Sequence, residues 1–176
     1  VANSFYRFFE GWFFAPGSME ADTFVREFWL ARGPAESKMQ NASYFHHLSS
    51  WYERYQEDRN KVLVVFFEDL KDDLSKQVAR VADFLSTDDL DLRPNIDTAV
   101  RMASYEFMKE HQGHFDEKLS KLARNEACGL DKNAGMGGGK IRDGKKGGGK
   151  RQLSDAVRSE IDAKWKQVVQ PVTGCA

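Results

Sequence analysis

Residues 61–85, KVLVVFFEDLKDDLSKQVARVADFL, constrain the fold more than any other stretch of the chain. The apolar run 62–67 is rich in β-branched and aromatic residues and has charge on both sides. A run this short, with no polar break, reads as a buried strand of a parallel sheet. Glu68 and Asp69 end it. Asp72 or Asp73 is then placed to cap a helix, where the positive end of the helix dipole favours a carboxylate. Leu74, Val78, Val81 and Leu85 follow at spacings of four, three and four, which is one stripe of an α-helix. A strand feeding a helix through a short acidic turn is half of a βαβ unit. The expected class is therefore α/β, a parallel sheet flanked by helices. Ligands of such sheets bind beyond the carboxyl ends of the strands, which makes the turn at Phe67, Glu68 and Asp69 a candidate site.

Helical patterns occupy most of the remaining chain. Residues 2–14, ANSFYRFFEGWFF, hold seven aromatics in thirteen positions and predict a helix apolar over most of its circumference. Residues 19–32 predict a second helix, stopped by Gly33 and Pro34. Residues 43–58 predict a third, capped by Ser43 and apolar along Tyr44, Leu48, Trp51, Tyr52 and Tyr55. Its His46–His47 pair is a poor chelator, because adjacent helical side chains diverge by about 100°. An acidic connector around residue 90 leads into one or two helices over 96–108. A closing helix carries Leu153, Val157, Ile161, Trp165 and Val168 on one stripe and is expected to stop at Pro171.

Between residues 112 and 152 the pattern lapses into an expected flexible loop, dominated by glycine and lysine from residue 132 onward. Gly144 to Arg151 nearly matches the Walker A signature GxxxxGK[ST]. Arg151 stands where the magnesium-binding hydroxyl belongs, and no apolar strand precedes the loop, so that reading fails. A phosphate is favoured all the same. Seven basic residues lie between Lys132 and Arg151 against one acid, Asp143, and glycines let backbone N–H groups close around an anion.

Five segments together resemble the PAPS-dependent sulfotransferases of the cytosolic type, in matching order and rough spacing. ANSFYRF resembles that family's VSxYHF stretch, which implies that Ser4 binds the donor's 3′-phosphate and that Phe8 lines the acceptor pocket. SYFHHLSSWYE resembles GSWFDHVxxWW and places His47 toward the acceptor. VVFFEDLKDD resembles the FYEDM-type segment, with Phe67 where the family usually has a tyrosine near the adenine. AVRMASYEFMKEH resembles TSFxxMKxN, matching Ser104, Tyr105, Met108 and Lys109, with Ala103 where a threonine is common. Residues 142–150 look like the RKGxxGxWK loop that closes over the 3′-phosphate. Arg142, Gly144, Gly147 and Lys150 match. Asp143 replaces a lysine, and Gly149 replaces the tryptophan that packs on the base.

The resemblance implies a P-loop NTPase-like sulfotransferase fold, of which residues 1–170 form a helix-rich C-terminal part, with a short tail over 171–176. It implies an enzyme that moves a sulfuryl group from PAPS to a hydroxyl or amine of a small-molecule or glycan acceptor, with no metal. The nucleotide-binding residues implied are Ser4, Phe67, Ser104, Tyr105, Arg142, Asp143 and Gly144; the acceptor residues are Phe8 and His47. The catalytic histidine and the phosphosulfate-loop lysine are expected upstream of Val1, so no catalytic residue falls in this chain. An alternative is a binding module whose basic loop holds RNA or an acidic partner through phosphates. No aromatic interleaves with those basic residues, and stacking is what single-strand readers use. Lys and Arg total 26 against 27 Asp and Glu, a balance that argues against a dedicated nucleic-acid or membrane-surface protein. No apolar run approaches a membrane span. Two cysteines without zinc-type spacing, and no signal peptide, lean toward a cytoplasmic location, with the Golgi lumen left open.

Overall fold

The computed structural model describes the chain except for residues 16, 38–42, 116–117, 135–140, 142–152 and 176. The chain divides into two compact units. One comprises Val1–Glu53, Glu117–Gly138 and Gly147–Ala176; the other comprises Arg54–Asp116 and Gly139–Lys146.

The first unit is built on aromatic packing. Helix α1 (Ala2–Trp12) buries Ala2 and Tyr6. Helix α2 (Ala21–Phe24) runs directly into a π-helical segment, Val25–Leu30. Phe9 of α1 meets Phe24 and Phe28 at ring separations of 5.3 and 5.0 Å. The loop between these helices is tied down from α1: the Tyr6 hydroxyl lies 2.7 Å from the Met19 carbonyl oxygen, and the Glu10 carboxylate accepts from the Gly17 backbone N–H. Gly17 adopts a φ of 76°, a left-handed conformation that glycine takes without strain.

Helix α3 (Tyr44–Glu57) starts at the expected cap, since the Ser43 hydroxyl oxygen accepts from the His46 N–H. Phe45, 1% exposed, packs edge-on against Trp29 at 4.9 Å. One late helix joins the same core: α9 (Asp155–Val168) contributes Val157, which is fully buried, and α8 (Lys118–Ala127) lies in the same unit. Ser154 caps α9 by accepting from the Val157 N–H, and its own N–H donates to Asp22 on α2. Arg26 and Glu160 form an exposed forked ion pair between the π segment and α9.

Two expectations are corrected in this unit. The stretch 118–127, read as loop, is helical, and Asn125 at its end is fully buried. The Asn125 side-chain amide donates to the carbonyls of Lys132 and Ala134, which holds the following turn in place. The closing helix ends at Val168 rather than at Pro171, which sits in the first turn of α10 (Gln170–Thr173). There a missing backbone N–H costs nothing, because the first turn has no intrahelical acceptor for it.

The second unit carries the segment that opened the sequence argument. Residues 62–66 run outside helices, half-buried through Val65 and exposed at Phe66. The expected strand is not formed: among the described residues the β pairing is a single bridge between Thr87 and Leu90. A strand is defined by its neighbours' hydrogen bonds, and no described residue supplies a ladder here. Phe67, expected at the strand's end, instead opens helix α4 (Phe67–Asp72). Glu68 and Asp69 occupy its first turn, where the helix dipole favours them.

Asp73 then caps helix α5 (Leu74–Leu85), its carboxylate accepting from the Lys76 N–H at 2.9 Å. After a short 3₁₀ turn come α6 (Ile96–Ala103), α7 (Tyr105–Glu110) and a second 3₁₀ turn, Gln112–Phe115, within the stretch read as loop. Among the described residues the buried side chains of this unit are those of Gln77 and Ala82, while Phe66, Phe67, Leu85, Leu90 and Met102 are about half exposed. Among the described residues no helix is long and apolar enough to cross a membrane.

One pH dependence follows from the start of α3. The His46 Nδ1 lies 2.7 Å from the Ser43 hydroxyl, and burial, with the Lys164 charge adding to it, lowers its pKa below the usual 6.5. A histidine held neutral in the folded state contributes stability that is complete above its unfolded pKa and is lost as the pH falls toward the folded one. The chain should therefore lose stability below about pH 6.5. His46→Gln should flatten that part of a denaturation-midpoint profile. An unchanged acid limb in the variant would assign the effect to other groups.

Candidate functional site

Ser4 lies in the first turn of α1, and its side chain is exposed. Helix α1 has no side-chain cap at Val1 and no acidic residue in its first turn. Among the described residues no hydrogen bond engages the Ser4 hydroxyl. It is available to donate to an oxygen.

One turn further along, Phe8 is 43% exposed. Positions four apart lie on the same helix face, so α1 presents Ser4 and Phe8 side by side. The Phe8 ring sits edge-on to Phe9 and Phe13, at 6.1 and 6.4 Å, which fixes an aromatic patch next to the polar helix end.

His47 projects from the exposed side of α3, its ring edge-on to Trp51 at 6.3 Å. Its neighbour His46 is turned inward onto Ser43. The two rings thus serve different surroundings, as their angular separation on a helix requires.

The second unit holds the other three described candidates. Phe67 is 51% exposed at the start of α4, with much of its ring open for packing. Ser104 is the junction between α6 and α7. Its hydroxyl donates to the Arg101 carbonyl at 2.8 Å and accepts from the Phe107 N–H at 3.2 Å. One hydroxyl therefore closes one helix and caps the next. Its single proton is committed, and one lone pair remains. Tyr105 follows immediately, half-buried.

Arg142, Asp143 and Gly144 lie outside the described residues, as do Gly147, Gly149 and Lys150. The structure thus brings together Ser4 with Phe8, and Ser104 with Tyr105.

Lys109 matches the family pattern in sequence, and the structure gives it partners. Its ammonium donates to the Gln112 side-chain oxygen at 3.3 Å and to the Ile141 carbonyl at 3.0 Å. Ile141 immediately precedes Arg142 in the sequence. The only sequence signal for this was the Met108–Lys109 match. A tether to a backbone carbonyl thirty-two residues away leaves no trace in local spacing.

The site groups can be set beside known proteins. The family model described as Sulfotransferase domain matches residues 1–172. Sulfotransferase 1E1 of Homo sapiens is 29% identical over 145 residues, covering 76% of this chain and 45% of that protein. The Mus musculus protein of the same name is 23% identical over 176 residues, covering 98% of this chain and 52% of its own length. Amine sulfotransferase of Oryctolagus cuniculus is 32% identical over 103 residues, or 56% of this chain and 33% of that protein. The chain spans between a third and about half the length of these curated relatives. Because the family match runs over nearly every residue from the aromatic first helix to the last turn, the chain belongs to the sulfotransferase domain family.

Proposed function

We propose that this chain supplies the 3′-phosphate and adenine side of the donor site in a sulfotransferase that uses PAPS and modifies a hydroxyl or amine. The observation that carries the reading is the exposed Ser4 hydroxyl, within a family match over residues 1–172. PAPS when bound supplies the activated sulfuryl group. The residues of this chain bind and orient it.

Ser4 would donate one hydrogen bond to a 3′-phosphate oxygen. Arg142 can donate two in parallel, the geometry that suits phosphate best. Gly144 and its neighbours would let backbone N–H groups approach closely, while Asp143 opposes the phosphate charge. Phe67 offers a ring for the base without a hydroxyl. Tyr105 stands beside Ser104, whose remaining lone pair accepts rather than donates.

Phe8 and His47 are the acceptor-side candidates, an aromatic face and an imidazole that can exchange hydrogen bonds with a hydroxyl or amine. An amine is the acceptor class in the name of the Oryctolagus cuniculus relative. The sulfuryl transfer itself would be in-line attack by the acceptor on the donor's sulfur. A small-molecule or glycan acceptor and a cytoplasmic setting belong to the same proposal.

Base selectivity tests it. Phe67, Ala103 and Gly149 each lack a base contact that the resemblance implies, so the donor would be held mainly by its phosphates. Missing base contacts remove the difference between competing ligands. Nucleotides with a 3′-phosphate and a base other than adenine should compete with PAPS within about tenfold, or about 1.4 kcal/mol. Competition assays on the complete protein measure this. Strict adenine selectivity would refute the phosphate-dominated site.

A further inference from the structure

We propose that His111 and His114 form a two-histidine binding site for a divalent transition metal ion of the copper, nickel and zinc group. The site lies within the second unit, at the end of α7 and in the 3₁₀ turn that follows, and it does not depend on the sulfotransfer reading. His111 is already prepared as a ligand. Its Nδ1 lies 2.8 Å from the Phe107 carbonyl oxygen. A carbonyl can only accept, so the proton sits on Nδ1 and the Nε2 lone pair is left for a metal. Metal-binding histidines are oriented in this way, by a hydrogen bond from the other ring nitrogen that fixes tautomer and ring plane.

The ring is also held by stacking. It lies on the Phe107 ring at a centroid separation of 4.0 Å and an interplanar angle of 20°, with the Arg101 guanidinium 5.3 Å from the Phe107 centroid. His111 therefore gives up little rotational freedom on binding.

His114 supplies the second ligand. Its backbone N–H donates to the His111 carbonyl, closing the turn, and side chains three apart on a 3₁₀ helix are eclipsed. The two rings are 6.0 Å apart between centroids. Two imidazoles on one ion have centroids at most about 6.4 Å apart, given metal–nitrogen bonds of about 2.0–2.1 Å. The observed separation already lies inside that limit, and rotation of the exposed His114 ring closes it to the bent arrangement a chelate needs.

Neutral imidazole selects copper, nickel and zinc over the hard cations, with copper the tightest of the divalent series. Among the described residues no third His, Cys, Asp or Glu completes a protein-only cage. Water fills the remaining positions, and the site is an open one.

Nickel(II) titrated calorimetrically into the whole chain is expected to bind at one ion per chain. His114→Ala should weaken binding by about tenfold or more, because a chelate becomes a single ligand. His114 is exposed and outside the stack, so this variant should keep the parent's far-ultraviolet circular dichroism. A second measurement needs no substitution: traces of copper(II) should broaden the imidazole NMR signals of His111 and His114 together. Unchanged nickel affinity in His114→Ala overturns the site, as does broadening confined to His46 and His47.

Discussion

Phe45→Ala is expected to cost the first unit about 3–5 kcal/mol, the range for removing a buried aromatic side chain. Phe45 is 1% exposed and sits between Trp29, edge-on at 4.9 Å, and Tyr44 at 5.8 Å. Its ring thus joins α3 to the π segment after α2. Truncation leaves a cavity that Trp29 cannot fill without leaving its own stack on Tyr44. A loss of that size is a large share of a typical domain's stability. Urea unfolding followed by near-ultraviolet circular dichroism measures it, with Leu119→Ala as the comparison. Leu119 is 83% exposed, and its truncation should stay within about 0.5 kcal/mol. Similar midpoints for the two variants would mean that Phe45 is not the joint described.

Arg142→Ala is expected to weaken binding of adenosine 3′,5′-bisphosphate by about 1.5–3 kcal/mol, the range for hydrogen bonds to charged groups. That corresponds to about tenfold to 150-fold in dissociation constant. The guanidinium contributes charge and a fork of parallel donors, so lysine should rescue only part of the loss. Ser4→Ala should cost less, about 1 kcal/mol, since only a single neutral donor is removed. The graded pair separates a phosphate site from a diffuse basic surface: a diffuse surface would respond to Arg142 and ignore Ser4. Titration calorimetry on the complete protein decides it, and parent-like binding in both variants would reject the donor-site assignment.

The features that were legible in the sequence are those set by near neighbours. Asp73 caps α5 and Ser43 caps α3 because a capping side chain reaches only two or three residues ahead. The stripe from Leu153 to Val168 was legible for the same reason, as a period written in one segment. Residues 62–67 were not, because a strand exists through partners that may lie anywhere in a sequence. The apolar run that predicts a parallel strand is half-buried here without a ladder, and its last residue begins a helix. Helix α8 carries little sequence signal because its Leu119 faces solvent; its anchor is Asn125, a polar residue bonded to carbonyls seven and nine positions later. In the candidate site, the pairing of Ser4 with Phe8 needed only helical spacing. The use of the Ser104 hydroxyl needed backbone positions that no motif encodes.

The Ser104 junction makes binding and local mechanics compete for one hydrogen atom. That hydrogen secures the Arg101 carbonyl at the end of α6, while the oxygen secures the first turn of α7. A ligand oxygen that claims it must release the carbonyl, and the last turn of α6 then loses a restraint. The angle between the two helices would loosen with it, and so would the stack of Phe107 on His111 one turn later. A ligand that donates to Ser104 leaves both helices clamped. The slowing or quickening of amide exchange around Arg101 and Phe107 would therefore report which way the hydrogen bond at Ser104 runs.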